Sequence, residues 1–289
     1  MSQLTQTNIS TLRLCFYGAG SMAEAIARGL INKELIQANR ISMLNRQNAE
    51  RLNELHEQYG VQTILQGGAN ESYMREADII FLVMKPKDAA EAIASIKPFV
   101  SPNQLIISVI AGLSIRTIEQ LLGDQSAVVR VMPNTSSTIG LGATGISYSK
   151  KVTPQQRLLT EAIFSSVGIN AVVDESLQQA VTGVSGSGPA YVYHFMESMI
   201  EAAIQLGLSE SAAKELVVQT VLGAAEMVRH TGEEPAELRR KVTSPNGTTQ
   251  AALELMAENR FAETINKAVH RSAERAGELG AAIERSITE

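Results

Sequence analysis

Five short, almost unbroken apolar runs alternate with stretches of helical spacing, and that alternation constrains the chain more than any other feature of its sequence. The runs fall at residues 12–17, 41–44, 79–84, 105–109 and 127–132. A half-exposed strand alternates apolar and polar residues, whereas a strand buried on both faces is near-continuously apolar, as these are. Between them, residues 22–32, 49–59, 89–96 and 115–122 carry apolar residues at helical intervals. Strand and helix in strict succession predict an α/β domain with a doubly wound parallel sheet. Residues 143–148 and 169–173 read as later strands at its edge.

The first run ends in Gly18-Ala19-Gly20-Ser21-Met22-Ala23, a match to the dinucleotide fingerprint G-x-G-x-x-G/A in a strand-turn-helix setting. Gly18 permits the tight turn, Gly20 lets a pyrophosphate approach the backbone, and Ala23 is small enough for helix and strand to pack closely. The helix opened by Ser21 and Met22 offers free N–H groups to phosphate oxygens. These observations predict a Rossmann-type domain over residues 1–173. The second run leads into Asn45-Arg46-Gln47 with no acidic residue, where an NAD-binding chain usually carries Asp or Glu for the ribose 2′-hydroxyl. Asn45 and Arg46 can instead hydrogen-bond and neutralise a 2′-phosphate, which favours NADP(H) over NAD(H). Ligands bind at the carboxyl ends of strands in such sheets, so Lys85-Pro86, Ala111-Gly112 and Asn134 are expected to line the same crevice. Lys85, at a loop start before proline, reads as a cofactor contact.

From Asp174 the texture turns helical, and residues 174–289 read as a second domain. Val192, Phe195, Met196, Met199, Ala203 and Leu206 recur at steps of three and four, an apolar stripe. The following stretch, from Ala212 to Val228, is apolar nearly all round, so burial on most sides is expected, with a second subunit supplying part of the cover. Gly183-Val184-Ser185-Gly186-Ser187-Gly188-Pro189 reads as a glycine-rich loop entering a helix at Ala190. A second polar segment, Thr243-Ser244-Pro245-Asn246-Gly247-Thr248-Thr249, opens a helix near Gln250. One Ser or Thr suffices for an N-cap; four hydroxyls around an Asn-Gly turn predict a pocket for a small anion such as a carboxylate.

Composition closes other routes. Net charge is −5, so nothing draws the chain to nucleic acid or an anionic membrane. The longest apolar run, 79–84, is far short of the roughly 20 residues of a membrane span. The polar start lacks a basic and then apolar leader pattern. These features predict a soluble, cytoplasmic protein. Cys15 is the single cysteine, and His56, His194, His230 and His270 form no metal-ligand spacing, so no metal is expected.

Taken together, Gly18-Ala19-Gly20, Lys85-Pro86, Val131-Met132-Pro133-Asn134-Thr135, Ser185-Gly186-Ser187-Gly188-Pro189-Ala190-Tyr191 and the segment from Thr243 to Thr249 resemble pyrroline-5-carboxylate reductases over nearly the whole chain. The late segment is the most specific of these. The resemblance implies reduction of the C=N bond of pyrroline-5-carboxylate to L-proline by NAD(P)H, the last step of proline biosynthesis. It implies a substrate carboxylate held by backbone amides and hydroxyls at Ser244, Gly247, Thr248 and Thr249, with Thr249 placed to hydrogen-bond the ring nitrogen as the candidate catalytic residue. It also implies dimers through the C-terminal helices, often assembled into decamers. One departure is visible: the family usually has two glycines after Ser-Pro, and this chain has Asn246 then Gly247. Asparagine tolerates left-handed backbone, so the loop is expected to survive. Two alternatives share the general layout. Hydroxyacid dehydrogenases carry a lysine four residues past the last loop glycine, where this chain has Val192. A non-catalytic NADP(H)-binding regulator is the other.

Overall fold

The computed structural model describes residues 9–66, 71–123 and 125–288. Most of the polar start, residues 1–8, lies outside them. Strands β1 (Leu14–Tyr17), β2 (Ile41–Asn45), β3 (Gln62–Leu65), β4 (Ile79–Leu82), β5 (Leu105–Ser108), β6 (Ala127–Met132), β7 (Gly142–Tyr148) and β8 (Gly168–Val172) form one sheet. Its order is β3-β2-β1-β4-β5-β6-β7-β8. Pairing is parallel from β3 through β6; β7 runs antiparallel to β6 and parallel to β8. The helices are α1 (Ser21–Asn32), α2 (Ala49–Tyr59), α3 (Glu71–Glu76), α4 (Ala89–Ile96), α5 (Ile115–Leu122), α6 (Pro154–Ser165) and α7 (Gln178–Val181), followed by α8 (Gly188–Gln205), α9 (Glu210–Thr231), α10 (Pro235–Lys241), α11 (Thr248–Glu258) and α12 (Phe261–Thr288).

All five apolar runs are strands, and four of them are fully buried along their length or nearly so. Alternate residues feed two cores, one on each sheet face. Phe16, Met43, Phe81, Ile107 and Val129 face α1, α2 and α6, with Phe16 and Phe81 stacked at 4.3 Å. Cys15, Leu44, Ile80, Leu82, Ile106 and Val128 face α4 and α5. The chain lays β2 and β3 to one side of β1 and then returns to place β4 on the other. That reversal opens a crevice at the carboxyl ends of β1 and β4, where such sheets bind ligands.

By packing, the chain separates into two compact units: Met1–Ser187 with Arg271–Glu289, and Gly188–His270. In the second, the apolar stripe of α8 and the all-round apolar α9 form as expected, and within one chain both stay largely uncovered. No residue of α8 is buried, and α9 buries only Ala213 and Val217. Leu206 is 87% exposed, and Leu216, Leu222 and Met227 are about half exposed. One chain does not itself supply the cover these side chains call for, which leaves the part that the sequence assigns to a second subunit. The glycine-rich segment before α8 differs too. Residues Thr182–Gly186 form a π-helical turn continuing α7, closed by the Ser187 N–H donating to the Thr182 carbonyl at 2.8 Å, so it is helix rather than loop.

Candidate active site

The crevice between β1 and β4 is a cleft of about 970 Å³, lined by residues that include Gly18, Gly20, Asn45, Arg46 and Lys85. Its floor explains both glycines. Gly18 has φ +123°, and a Cβ there would lie 1.8 Å from the Val83 carbonyl oxygen, so β1 can turn beside β4 only without a side chain. Gly20 is different: a Cβ there meets no protein atom within 4 Å. Its bareness faces open space, which suits a backbone that a phosphate must approach. Gly20 is also the N-cap of α1, and no side chain caps the helix. The first-turn amides at Ser21 and Met22 thus point out with the positive end of the helix dipole. Uncapped amides, a bare glycine and nearby cations fit a dinucleotide pyrophosphate.

At the end of β2, the Asn45 side-chain oxygen accepts the amides of Gln47 at 3.1 Å and Asn48 at 3.0 Å. Asn48 then caps α2 by accepting the Arg51 amide at 2.9 Å. This chain of side-chain turns fixes the backbone around Arg46, which is exposed and in no ion pair among the described residues. Asn45 thus spends its oxygen on the turn, and its amide nitrogen has no hydrogen-bond partner among the described residues. The clamp behind this turn is not legible in the sequence. Arg51 pairs with Glu24 of α1, and the Tyr59 hydroxyl donates to the same carboxylate at 2.7 Å. Burial pushes the Glu24 carboxyl up, yet the bonds from Tyr59 and Arg51 and the charges of Arg51 and Arg28 outweigh it and hold it below the ordinary carboxylate value. Lys87 also lines the cleft and was not singled out by sequence, although it stands in the same Lys-Pro-Lys segment as Lys85.

The remaining expected residues sit elsewhere in the same unit. Pro86 opens the short turn after Lys85. Neither it nor Ala111, Gly112 and Asn134 lines this cleft. Asn134 is nearly buried, donating to the Ser185 carbonyl at 3.1 Å and accepting the Ala143 amide at 3.2 Å. Gly112 has φ +81° and packs against the backbone of Gly280. Cys15 is buried, its thiol pushed up to about 12 by that burial, so it is inert as a nucleophile. No metal-competent cluster of His, Cys, Asp and Glu occurs among the described residues.

In the second unit the polar segment enters α11 two residues earlier than the sequence suggests, at Thr248 with Gly247 as N-cap. No side chain caps it. The amides at the start of α11 are therefore available, alongside the hydroxyls of Ser244, Thr248 and Thr249. Of the Asn-Gly pair, Asn246 takes the left-handed conformation at φ +58° and Gly247 is extended at φ −87°. The Gly247 amide donates to the Ser244 carbonyl at 3.0 Å, and the Asn246 amide to the Gln250 side-chain oxygen at 2.8 Å. Asparagine accommodates this geometry at small cost because its short polar side chain suits left-handed backbone. The result is an uncapped, hydroxyl-rich helix N-terminus, a setting that favours small anions.

Comparison with known proteins bears on both units. Residues 175–279 match the family model for pyrroline-5-carboxylate reductase dimerisation, and residues 13–112 match that of NADP oxidoreductases, coenzyme F420-dependent. The chain is 42% identical over 278 residues to pyrroline-5-carboxylate reductase 2 of Bacillus subtilis, covering 94% of this chain and 99% of that one. The chain belongs to the pyrroline-5-carboxylate reductase family. Solved structures of pyrroline-5-carboxylate reductases agree. That from Coxiella burnetii superposes with a TM-score of 0.86 at 37% identity, covering 93% of this chain and 98% of that chain. The Plasmodium falciparum reductase, solved with NADP bound, gives 0.83 at 32% identity over 94% and 99%. Prephenate dehydrogenase from Aquifex aeolicus, at 13% identity and a TM-score of 0.52, shares the fold alone. For a pyrroline-5-carboxylate reductase, the hydroxyacid dehydrogenase alternative has no place, in keeping with Val192 where that chemistry needs a lysine.

Proposed function

We propose that this chain reduces the C=N bond of pyrroline-5-carboxylate to L-proline with NADPH, and with NADH as the weaker donor. The observation that carries the reading is the uncapped, hydroxyl-rich N-terminus of α11, a carboxylate site far richer than a helix cap requires. Gly18, Gly20, Ser21 and Met22 would hold the pyrophosphate, Asn45 and Arg46 the 2′-phosphate, and Lys85 the adjoining cleft wall, with Pro86 fixing the turn that follows it. Ala111, Gly112 and Asn134 would shape the nicotinamide side through the loops they brace. The cofactor, when bound, supplies the hydride that adds to the imine carbon.

The chain's own part is binding and orientation. Ser244 and the amides of Gly247, Thr248 and Thr249 anchor the carboxylate. The Thr249 hydroxyl orients the ring nitrogen and passes a proton between it and solvent. A protonated iminium is already electrophilic, so no strong acid is required. In this reading residues 1–173 form the dinucleotide-binding domain and residues 174–289 the substrate and dimerisation domain. The exposed apolar side chains of α8 and α9, together with the match to the dimerisation model, support a homodimer through the C-terminal helices; assembly of such dimers into decamers is what the family resemblance alone implies. No helix among the described residues is long and apolar enough to cross a membrane. Thr249→Ala tests the assignment: it should raise KM for the imine and lower kcat while leaving NADPH binding intact. Unchanged kcat and KM would remove Thr249 from the site.

A further inference from the structure

The last turns of α12 fold onto the loop between β5 and α5, and they do so through two facing glycines. A Cβ on Gly280 would lie 2.6 Å from the Gly112 carbonyl oxygen, and a Cβ on Gly112 would lie 3.1 Å from the Gly280 nitrogen. Gly280 is the buried position on the described part of this face, with Ser272, Ala273, Ala276, Gly277 and Ile283 half-buried at helical spacing beside it. Ile283 packs on the core that also holds Ile110 and Leu113. One turn beyond the glycine contact, the Glu284 carboxylate accepts the Ser114 hydroxyl at 2.8 Å and the Thr117 hydroxyl at 3.1 Å. Ser114 is itself the N-cap of α5, accepting the Thr117 amide. From the other side, Glu175 accepts the Ile115 amide at 2.7 Å while paired with Arg130.

A surface helix end needs none of this. Two glycines in backbone contact, a half-buried helix face and a carboxylate closing the next cap hold residues 110–117 from both sides. We infer that Gly280 and Glu284 are positioning residues for the reaction, bracing the Ala111–Gly112 loop so that its backbone presents a fixed wall to the nicotinamide. The inference rests on the reading of Ala111 and Gly112 as that wall. The dimerisation match ends at residue 279, so these contacts lie just beyond it. Neither residue touches cofactor or substrate; both act through the loop.

The contact geometry sets the size of the effect. A methyl at Gly280 must move about 0.8 Å to reach ordinary contact with the Gly112 oxygen, and displacements near 1 Å cost up to about 100-fold in rate. The variants Gly280→Ala, Glu284→Ala, Glu284→Gln and Gly112→Ala are compared as full-length enzyme. Three measurements apply: steady-state kinetics with NADPH and pyrroline-5-carboxylate, NADPH affinity by fluorescence titration, and amide hydrogen exchange of a peptide spanning 109–117 without cofactor. Gly280→Ala should speed exchange in that peptide and lower kcat about tenfold or more, with NADPH affinity within about twofold, because the phosphate contacts lie elsewhere. Glu284→Ala should do the same more weakly, and Glu284→Gln, whose oxygen can still accept both hydroxyls, should recover most of the loss. If Gly280→Ala does not fold, the Glu284 pair decides alone. Unchanged exchange, or faster exchange with unchanged kcat, overturns the brace. If Gly112→Ala lowers kcat while the α12 variants do not, the wall stands without the brace. If Gly112→Ala is also silent, the wall reading falls with it.

Discussion

Replacing Arg46 by glutamine removes the one positive charge that the β2 turn presents to the cleft. Because Arg46 is exposed and in no ion pair among the described residues, its loss breaks no salt bridge there, and the turn is held by the Asn45 and Asn48 side chains instead. Tm should therefore stay within about 1 °C, surface changes away from native contacts being worth under ~0.5 kcal/mol. A charge-assisted hydrogen bond to phosphate is worth about 1.5–3 kcal/mol, or roughly 10- to 150-fold in affinity. Solvent screening of an exposed side chain places this one in the lower part of that range, about 10- to 30-fold. NADH has no 2′-phosphate and gains nothing from Arg46. The assay is paired initial-rate kinetics with NADPH and NADH at low ionic strength. The expected result is a KM for NADPH raised about 10- to 30-fold with KM for NADH within about twofold. Equal effects on both cofactors, or none on NADPH, would refute the assignment of the 2′-phosphate to this turn.

Further outcomes follow from the same geometry. Asn246→Ala places an ordinary side chain at φ +58°, at a cost of about 1–2 kcal/mol; the substrate KM should rise several-fold, and Asn246→Gly should match or improve on the native enzyme, measured by imine titration at saturating NADPH. The Glu24 carboxyl sits below its ordinary value, so its stabilisation is fully present above the unfolded carboxylate pKa of about 4.3 and is lost as pH falls through the lower folded value. Glu24→Gln should destabilise by about 1.5–3 kcal/mol at neutral pH, and the gap should close under acid, read by urea unfolding from pH 7 to 3. Light scattering at micromolar concentration should give at least a dimer, since the apolar faces of α8 and α9 are exposed in a single chain; a monomer contradicts the interface.

How much was legible in advance depends on where each segment gets its stability. β1, β2, β4, β5 and β6 lie inside the sheet, and burial on both faces writes itself as continuous apolar sequence. β3, at the sheet edge, is exposed at Gln62 and Leu65 and half-buried between, so it leaves no run to read. α6 was missed for a different reason: its apolar face is weak, but Thr153, Pro154 and Gln156 spell the capping box that starts it. The glycine fingerprint was readable because backbone geometry demands those residues, and Gly18 against Val83 shows the demand. By contrast, Gly112 against Gly280 and Glu24 against Arg51 join residues far apart in sequence, and no local pattern records such pairs. The helical half was legible as helices and as unfinished burial, because its apolar residues outnumber the cover the chain can offer them.

The most direct test of the central claim is NADPH oxidation by the purified protein with pyrroline-5-carboxylate, followed by product analysis. Saturable turnover that yields one proline per NADPH consumed, faster than with NADH, is the predicted result. Tight NADPH binding with no imine-dependent oxidation would contradict it and point to the non-catalytic nucleotide-binding alternative.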